Sequence, residues 1–254
     1  MEIRFDNKIV LVTGASRGIG RAIARQFALS GATIAAHYNS NHKAAKSLLD
    51  ELSGQGHSCL SADLADPAEI EKLYKTIRRQ YGRIDILVNN AGVFEEDDMV
   101  LMKPAEFRAY WNRTIAVNLS APAILSHFVS EAMIEQGGGK ILNISSRGAF
   151  RGEPDAWAYG ASKAGLNSLS QSMAKSLAPH GVSVFTLAPG FVETDMAASC
   201  LKGRRKKEIL SQSPLSRIAS PEEIARAVLM LCADGNDYMT GCIVDMNGAS
   251  YLRS

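Results

Sequence analysis

The chain has 254 residues, of which 46% are apolar, and its 28 basic and 26 acidic side chains leave a formal net charge of +2. So balanced a charge gives no argument for a nucleic-acid partner. The five histidines form no HxH or HExxH arrangement, so we expect no metal site. No apolar run approaches the roughly 18 residues of a membrane span, and we expect no membrane association.

The four cysteines, Cys59, Cys200, Cys232 and Cys242, are widely spaced and form no CxxC pair. This spacing favours a reduced, cytoplasmic protein with buried thiols over a disulfide framework. The stretch "MEIRFDNKIVLVTGA" contains charges and ends in a glycine turn, so we expect no secretory signal peptide.

Short apolar runs alternate along the chain with longer segments of helical pattern. Runs such as "IVLV" and "IDILV" are unbroken, which is typical of strands buried on both faces of a parallel sheet. Helix start signals occur at Asp66-Pro67 and Ser220-Pro221, where an N-cap residue precedes a proline. The alternation predicts a doubly wound α/β sheet with helices on both faces, in one domain over residues 1–254. The predicted strands are 8–13, 33–38, 58–62, 84–89, 139–145, 183–188 and 242–246.

The stretch "VTGASRGIGRAIA" follows the first predicted strand and opens the first predicted helix. Its glycines, Gly14, Gly18 and Gly20, permit a tight turn and let a phosphate approach the backbone. The N-terminus of the helix then presents free N–H groups and a positive dipole to that phosphate. A glycine-rich turn alone is weak evidence, but its position between strand and helix is the one that a dinucleotide site requires.

With the spacing G-x-x-x-G-x-G, the chain resembles the short-chain dehydrogenase/reductase family over nearly its entire length. The motifs that carry the resemblance, in family order, are "TGASRGIG" (13–20), "NNAG" (89–92), "VN" (117–118), "NISS" (143–146), "YGASK" (159–163) and "PGFVET" (189–194). The resemblance implies a Rossmann-type fold, a nicotinamide cofactor and a homotetramer.

The end of the second strand distinguishes NADP(H) from NAD(H), because an acidic residue there binds the ribose and repels a 2′-phosphate. The segment "TIAAHYNSNHKAAKS" (33–47) has no acid, and Tyr38, Asn39 and Ser40 occupy that position. Arg17 in the glycine turn supplies a guanidinium that can bind a phosphate with two hydrogen bonds. We therefore predict NADP(H) as the preferred cofactor, with NAD(H) as the alternative.

The resemblance implies further contacts with the cofactor. The first acid of "SADLAD" is expected to meet the adenine amino group, the backbone of residues 90–92 to line the adenosine ribose, and "PGFVET" to border the nicotinamide. The predicted cofactor-binding residues are Gly14, Ser16, Arg17, Gly18, Ile19, Gly20, Tyr38, Asn39, Ser40, Asp63, Leu64, Asn90, Ala91, Gly92, Tyr159, Lys163, Pro189, Gly190, Val192 and Thr194.

Tyr159 and Lys163 are four positions apart, so they would share one face of a helix. Hydride transfer to a ketone needs a proton from a positioned acid, and a tyrosine with a pKa of about 10 is a poor participant without help. A nearby ammonium favours the phenolate and lowers that pKa. Ser146, just after the strand "KILNIS", has a hydroxyl suited to stabilising the developing negative charge. The resemblance adds Asn118 to the predicted catalytic set, as the anchor of a proton-relaying water.

Within the family, the chain is most similar to reductases of 3-oxoacyl thioesters, which implies reduction of a ketone to a secondary alcohol on acyl carrier protein or coenzyme A. The expected substrate lid, around residues 193–215, contains a basic run that would attract an acidic carrier or coenzyme A phosphates, or else be solvated. That run is Lys202, Arg204, Arg205, Lys206 and Lys207. Against a carrier-protein partner, the segment "SEAMIEQGGGK" has two glutamates where these reductases have basic residues.

The loop "GEPDAW" before Tyr159 leaves the substrate open. Glu153, Asp155 and Trp157 border the substrate in the family, so the charged ones either bind a polar substrate or are solvated. A second hypothesis is therefore a dehydrogenase/reductase of a sugar, polyol or other polar alcohol. A third is an NADP(H)-sensing regulatory protein on the same fold, although both Tyr159 and Lys163 are present.

Overall fold

The computed structural model describes residues 3–195 and 203–253, apart from the side chain of Arg204. Cys200 and Lys202, which the sequence analysis singled out, lie outside the described residues. No helix within these ranges is long and apolar enough to cross a lipid bilayer.

Seven parallel strands in the described part of the chain form one sheet, in the order β3-β2-β1-β4-β5-β6-β7. The strands are β1 (Ile9–Val12), β2 (Thr33–Tyr38), β3 (Ser58–Ser61), β4 (Ile86–Asn89), β5 (Gly139–Ile144), β6 (Val182–Pro189) and β7 (Ile243–Met246). Each predicted strand is found with bounds that differ by at most two residues. The expectation of a doubly wound parallel sheet is confirmed.

Helices connect the strands, as the sequence pattern predicts. They are α1 (Gly18–Leu29), α2 (His42–Glu51), α3 (Pro67–Tyr81), α4 (Pro104–Ile115), α5 (Ala121–Glu135), α6 (Gly148–Arg151), α7 (Trp157–Leu177), α8 (Gly203–Ser211) and α9 (Pro221–Cys232). Both start signals are confirmed. The Asp66 carboxylate accepts a hydrogen bond from the Ala68 N–H (2.8 Å), and Ser220 forms a capping box with Glu223. A side-chain cap of this kind stabilises a helix by about 1 kcal/mol.

Apolar cores lie on both faces of the sheet. Phe27 of α1 and Val228 of α9 pack in one core with Phe185 of β6. Ile77 of α3 and Leu125 of α5 belong to the core on the opposite face. Burial of each such side chain contributes about 1.5–3 kcal/mol, so the two layers hold the sheet as a rigid platform for the loops at its carboxyl edge.

The order of strand addition reverses at β1, which pairs with both β2 and β4. In open α/β sheets, ligands bind in the crevice outside the carboxyl ends of the strands at such a reversal. The glycine turn follows β1 and the "NAG" segment (90–92) follows β4, so the topology places the two predicted cofactor loops on either side of that crevice.

Candidate active site

A cleft of about 640 Å³ opens at the carboxyl ends of the strands. Its size suits a small organic ligand or cofactor. The predicted site residues that line it are Gly14, Ser16, Arg17, Gly18, Ile19, Gly20, Asn39, Ser40, Asp63, Leu64, Asn90, Ala91, Gly92, Ser146, Tyr159, Lys163, Pro189, Gly190, Val192 and Thr194. The fold therefore brings together segments that are far apart in the sequence.

Tyr38, which the sequence analysis assigned to the cofactor, is not among the residues that line the cleft. Its hydroxyl forms a hydrogen bond with Nδ1 of His42 (3.0 Å), and the two rings lie 5.9 Å apart at the start of α2. Successive side chains of a strand point to opposite faces. His37, the preceding residue, lines the cleft in place of Tyr38.

The glycine turn has the backbone that the sequence predicts. Gly14 (φ +64°) and Gly18 (φ +53°) adopt the left-handed region that favours glycine. A Cβ at Gly20 would lie against the Gly14 carbonyl oxygen and 2.9 Å from the carbonyl carbon. Helix α1 begins here without a side-chain cap and without an acid in its first turn. Its free N–H groups are thus available to an anion, and the turn fits the phosphates of a dinucleotide.

His37 holds this turn in place, a role that the sequence analysis missed. The Gly14 N–H donates to Nδ1 of His37 (3.1 Å), and Nε2 donates to the Ala62 carbonyl (3.0 Å). Burial lowers the pKa of His37, so the ring is neutral and serves as both acceptor and donor. Its partners are 23 and 25 residues away, and no local sequence pattern could have revealed them.

The loop after β4 is fastened across the strand-order reversal to Thr13. The Asn90 and Ala91 N–H groups donate to Thr13 Oγ1 at 2.9 and 3.0 Å, and Asn90 Nδ2 donates to the Thr13 carbonyl at 2.8 Å. These bonds keep the side chain of Asn90 engaged with the protein. The loop after β4 therefore presents its backbone groups to the cleft.

Asn118 is fully buried in a π-helical turn, Ala116–Ser120, between α4 and α5. Its Oδ1 accepts from the Val93 N–H (2.8 Å), and its Nδ2 donates to the Val93 carbonyl (2.9 Å). A Cβ at Gly92 would lie 3.3 Å from Asn118 Oδ1 and 3.7 Å from Lys163 Nζ. The amide and the ammonium therefore adjoin the same glycine. Asn118 is not among the residues that line the cleft.

Helix α7 presents Tyr159 and Lys163 to the cleft one turn apart. Lys163 Nζ donates to the Ile144 carbonyl (2.8 Å) and lies 5.8 Å from the centre of the Tyr159 ring. Ser146 follows β5, and its Oγ accepts from the Gly148 N–H (3.0 Å). A hydroxyl, a phenol and an ammonium thus border the cleft within one small region.

The ionisation of the tyrosine differs from the sequence-based expectation. Burial raises the pKa of Tyr159, while the Ser146 hydroxyl lowers it and the Glu153 carboxylate raises it further. Burial also lowers the pKa of Lys163 to about 8. Burial is the largest cause of the shift in the pKa of Tyr159, and Lys163 is not among the causes. Tyr159 is therefore protonated at neutral pH, the form required of a proton donor.

Comparison with known proteins identifies the family. The family model described as enoyl-(acyl carrier protein) reductase matches residues 14–248. The 3-oxoacyl-acyl-carrier-protein reductase FabG of Escherichia coli K12 is 40% identical over 250 residues, which cover 98% of this chain and 100% of that protein. The protein belongs to the short-chain dehydrogenase/reductase family. The FabG protein of Aquifex aeolicus is 37% identical over 255 residues, covering 99% of this chain and 100% of that one.

Solved structures of short-chain dehydrogenases/reductases superpose over almost the whole chain. A Beutenbergia cavernae protein assigned as an NAD(P)-dependent gluconate 5-dehydrogenase, solved with NADP at low occupancy, has a TM-score of 0.90 and 31% identity. The superposition covers 98% of this chain and 99% of that one. A dehydrogenase/reductase from Sinorhizobium meliloti 1021 has a TM-score of 0.91 and 29% identity, covering 99% of this chain and 98% of that one.

In this short-chain dehydrogenase/reductase the cleft has two ends of different character. We name the two ends for the ligands proposed below. The cofactor end is lined by Gly14, residues 16–20, His37, Asn39, Ser40, residues 63–65 and residues 90–92. The substrate end is lined by Phe94, Glu96, Ser146, Arg147, Arg151, Glu153, Phe191, Arg205, Glu208, Ile209 and Gln212. Charged residues are more numerous at the substrate end than at the cofactor end, where Arg17 and Asp63 line the cleft. Those of the substrate end, among the described residues, are Glu96, Arg147, Arg151, Glu153, Arg205 and Glu208.

The loop before Tyr159 contributes one of its three candidate substrate contacts to the cleft. Glu153 lines it, whereas Asp155 and Trp157 do not. The Trp157 ring packs at 6.0 Å from the Phe107 ring on the outside of the molecule. In the basic run, Arg205 lines the cleft and forms a salt bridge with Glu96. Lys206 and Lys207 are exposed.

Proposed function

We propose that the protein is an NADPH-dependent reductase of 3-oxoacyl thioesters carried by acyl carrier protein or coenzyme A. One observation carries the proposal: Ser146, Tyr159 and Lys163 border the same cleft as the glycine turn. The 40% identity to the E. coli 3-oxoacyl-acyl-carrier-protein reductase, over 98% of this chain, supports the substrate class. As a member of its family, the protein is an oxidoreductase.

The cofactor end would hold NADPH. The uncapped N-terminus of α1 would bind the pyrophosphate, and Arg17, exposed at that N-terminus, would bind the 2′-phosphate. Asn39 and Ser40 stand at the end of β2, where an NAD-dependent enzyme would have an acid. The NADP bound to the B. cavernae protein agrees with this preference.

When bound, the cofactor supplies a hydride to the carbonyl carbon of the substrate. The Ser146 hydroxyl donates a hydrogen bond to the carbonyl oxygen, and the protonated phenol of Tyr159 transfers its proton to the same oxygen. The Lys163 ammonium stabilises the phenolate that remains, and with Asn118 it forms the route by which the proton is replaced. Positioning an acid in this way accelerates a reaction about 10²–10⁴-fold.

A second candidate is reduction of a keto sugar acid. The charged side chains Arg147, Arg151 and Glu153 at the substrate end favour it, because an unsubstituted acyl chain would gain nothing from them. The gluconate 5-dehydrogenase assignment of the B. cavernae relative points the same way.

Two features of the proposal concern assembly and closure. We propose that helix α8 is part of a lid over the substrate end, since Arg205 and Gln212 on this segment line the cleft.

We also propose that the chain works as one domain in a homotetramer. Light scattering on the purified protein measures the assembly, and a monomer would contradict it.

A carbonyl panel tests the proposed function. Acetoacetyl coenzyme A, acetoacetyl-acyl carrier protein and 5-ketogluconate are offered with NADPH or NADH, and loss of nicotinamide absorbance is followed. We expect turnover of the thioesters, and at least tenfold higher kcat/KM with NADPH than with NADH. Turnover of 5-ketogluconate alone would favour the second candidate, and NADPH binding without turnover of any ketone would favour a sensing protein.

A further inference from the structure

Arg147 is a buried cation at the substrate end of the cleft. Its residue is only 4% exposed, yet it lines the cleft. Nη1 donates to Ser250 Oγ (2.6 Å) and Nη2 donates to Gln212 Oε1 (2.7 Å). The guanidinium carbon lies 4.8 Å from the centre of the Phe191 ring. Three contacts from distant parts of the chain therefore fix the orientation of this guanidinium.

The partners of Arg147 are all neutral. Among residues 3–195 and 203–253, no carboxylate oxygen comes within 4.0 Å of its nitrogens. Of the five N–H donors of a guanidinium, described acceptors take two. Burial lowers the pKa of Arg147 to about 10, which reflects the cost of a charge removed from water. Buried charges are ordinarily paired. The Glu153 carboxylate raises the pKa of Arg147 through its charge, but no carboxylate of the described residues contacts this guanidinium directly.

A second guanidinium lies beside the first. Arg151 Nη1 donates to the same oxygen of Gln212 (3.3 Å), and its Nε lies 3.7 Å from Glu153 Oε1. The loop from Arg147 to Glu153 thus brings two cations and one anion to the cleft. Arg151 is thereby paired with Glu153, whereas Arg147 has no carboxylate oxygen of the described residues within 4.0 Å of its nitrogens.

The position of Arg147 ties this charge to the reaction. It directly follows Ser146, and its backbone N–H donates to the Pro189 carbonyl (2.9 Å), in the segment expected to border the nicotinamide. Arg147 therefore borders the same cleft as Ser146 and Tyr159, at the end where we place the substrate. A planar guanidinium binds a carboxylate with two parallel hydrogen bonds, which a lysine does not do.

We propose that Arg147, assisted by Arg151, binds a carboxylate of the substrate, so that the ketone reduced here carries a carboxylate on its carbon chain. The proposal rests on the proposed function for the reaction and extends it to the substrate class. For a thioester, the substrate is a 3-oxoacyl chain that ends in a carboxylate. For a free ketone, it is a keto acid such as a keto sugar acid. The shared chemistry is the carboxylate.

Matched thioesters test this selectivity. The 3-oxohexanoyl and 3-oxoadipyl thioesters of N-acetylcysteamine have equally long chains, and a carboxylate replaces the terminal methyl group in the second. We expect the wild-type protein to have about 10–100-fold higher kcat/KM for 3-oxoadipyl, as charge-assisted hydrogen bonds provide. The methyl ester of the 3-oxoadipyl thioester keeps the shape without the charge and should lose the preference. Turnover of 5-ketogluconate tests the alternative substrate, a free keto acid.

Variants then assign the preference to the arginines. Arg147→Gln should reduce the ratio between the two thioesters to near 1, and Arg151→Gln should reduce it by a smaller factor. Arg147→Lys should restore only part of it. Arg79→Gln, which removes a cation from the exposed face of α3, is the matched control and should keep the wild-type ratio. NADPH binding, followed by fluorescence, verifies that each variant is folded.

The results with the two thioesters and with 5-ketogluconate distinguish failure of the carboxylate proposal from failure of the thioester function. Equal or better turnover of 3-oxohexanoyl by the wild type, with no turnover of 5-ketogluconate, overturns the carboxylate proposal and leaves the thioester reductase standing. Turnover of 5-ketogluconate alone, lost in Arg147→Gln, supports the carboxylate proposal and refutes the thioester function. A variant that slows both thioesters by the same factor shows that Arg147 is structural. Should Arg147→Gln fail to fold, an unchanged ratio in Arg151→Gln and Arg147→Lys overturns the proposal.

Discussion

The two ends of the cleft differ in the groups that they present to a ligand. At the cofactor end, the glycine turn leads into the uncapped N-terminus of α1, and the neighbouring side chains of Asn90 and His37 bond to the protein itself. At the substrate end, charged side chains line the cleft. Backbone recognition suits a cofactor of fixed structure. Side-chain recognition changes with single substitutions, so it determines which ketone is accepted.

The largest expected loss of activity comes from a substitution of Tyr159, at the boundary between the two ends of the cleft. Tyr159→Phe removes the proposed proton donor and should lower kcat about 10²–10⁴-fold, because we assign the phenol as the positioned acid. Binding of NADPH, measured by fluorescence titration, should change by less than about threefold, since the variant leaves the glycine turn and Arg17 unchanged. Near-wild-type turnover in this variant would refute the catalytic assignment.

Gly20→Ala tests whether the cofactor end depends on its backbone. The new Cβ would lie 2.9 Å from the Gly14 carbonyl carbon, so the turn must shift, at a cost of about 1–3 kcal/mol in the free energy of unfolding. We expect the Kd for NADPH to rise at least tenfold. Gly160→Ala is the matched control in a helix, because its Cβ would find its nearest neighbour at 3.6 Å. An equal Kd for NADPH in the two variants would show that cofactor binding does not depend on the backbone of the glycine turn.

Arg17→Ala probes the cation that we assign to the 2′-phosphate of the cofactor. Loss of its hydrogen bonds to the 2′-phosphate should raise the KM for NADPH about 10–100-fold and leave the KM for NADH within about twofold. The ratio of the two kcat/KM values measures this selectivity. If the KM values for NADPH and NADH rose by the same factor, Arg17 would stabilise the glycine turn and would not bind the 2′-phosphate.

The smallest expected effect is on the pH profile of reduction. The pKa of Lys163 lies at about 8, so its ammonium loses its proton as the pH rises through that value. The phenolate left on Tyr159 then loses its cationic partner, and kcat/KM for reduction should fall above pH 8. Lys175→Gln, on the exposed face of the same helix, should keep the wild-type profile. If kcat/KM for reduction stayed constant up to pH 10, the proposed role of Lys163 in catalysis would be refuted.

The amino-acid sequence by itself determined the sheet and the cofactor end. Unbroken apolar runs predict buried parallel strands, and the proline start signals at Asp66 and Ser220 predict where α3 and α9 begin. The glycine turn is equally local, because its backbone conformation depends on residues within a few positions of one another. Such features need no knowledge of distant contacts.

Only the tertiary structure decided the rest. It turned Tyr38 away from the cleft and placed His37 there, held by Gly14 and Ala62. It raised the pKa of Tyr159 by burial, against the sequence-based expectation. It also fixed Arg147 between Gln212 and Ser250, which are 65 and 103 residues away. Burial and long-range hydrogen bonds depend on how the whole chain packs, and no short segment of sequence contains that information.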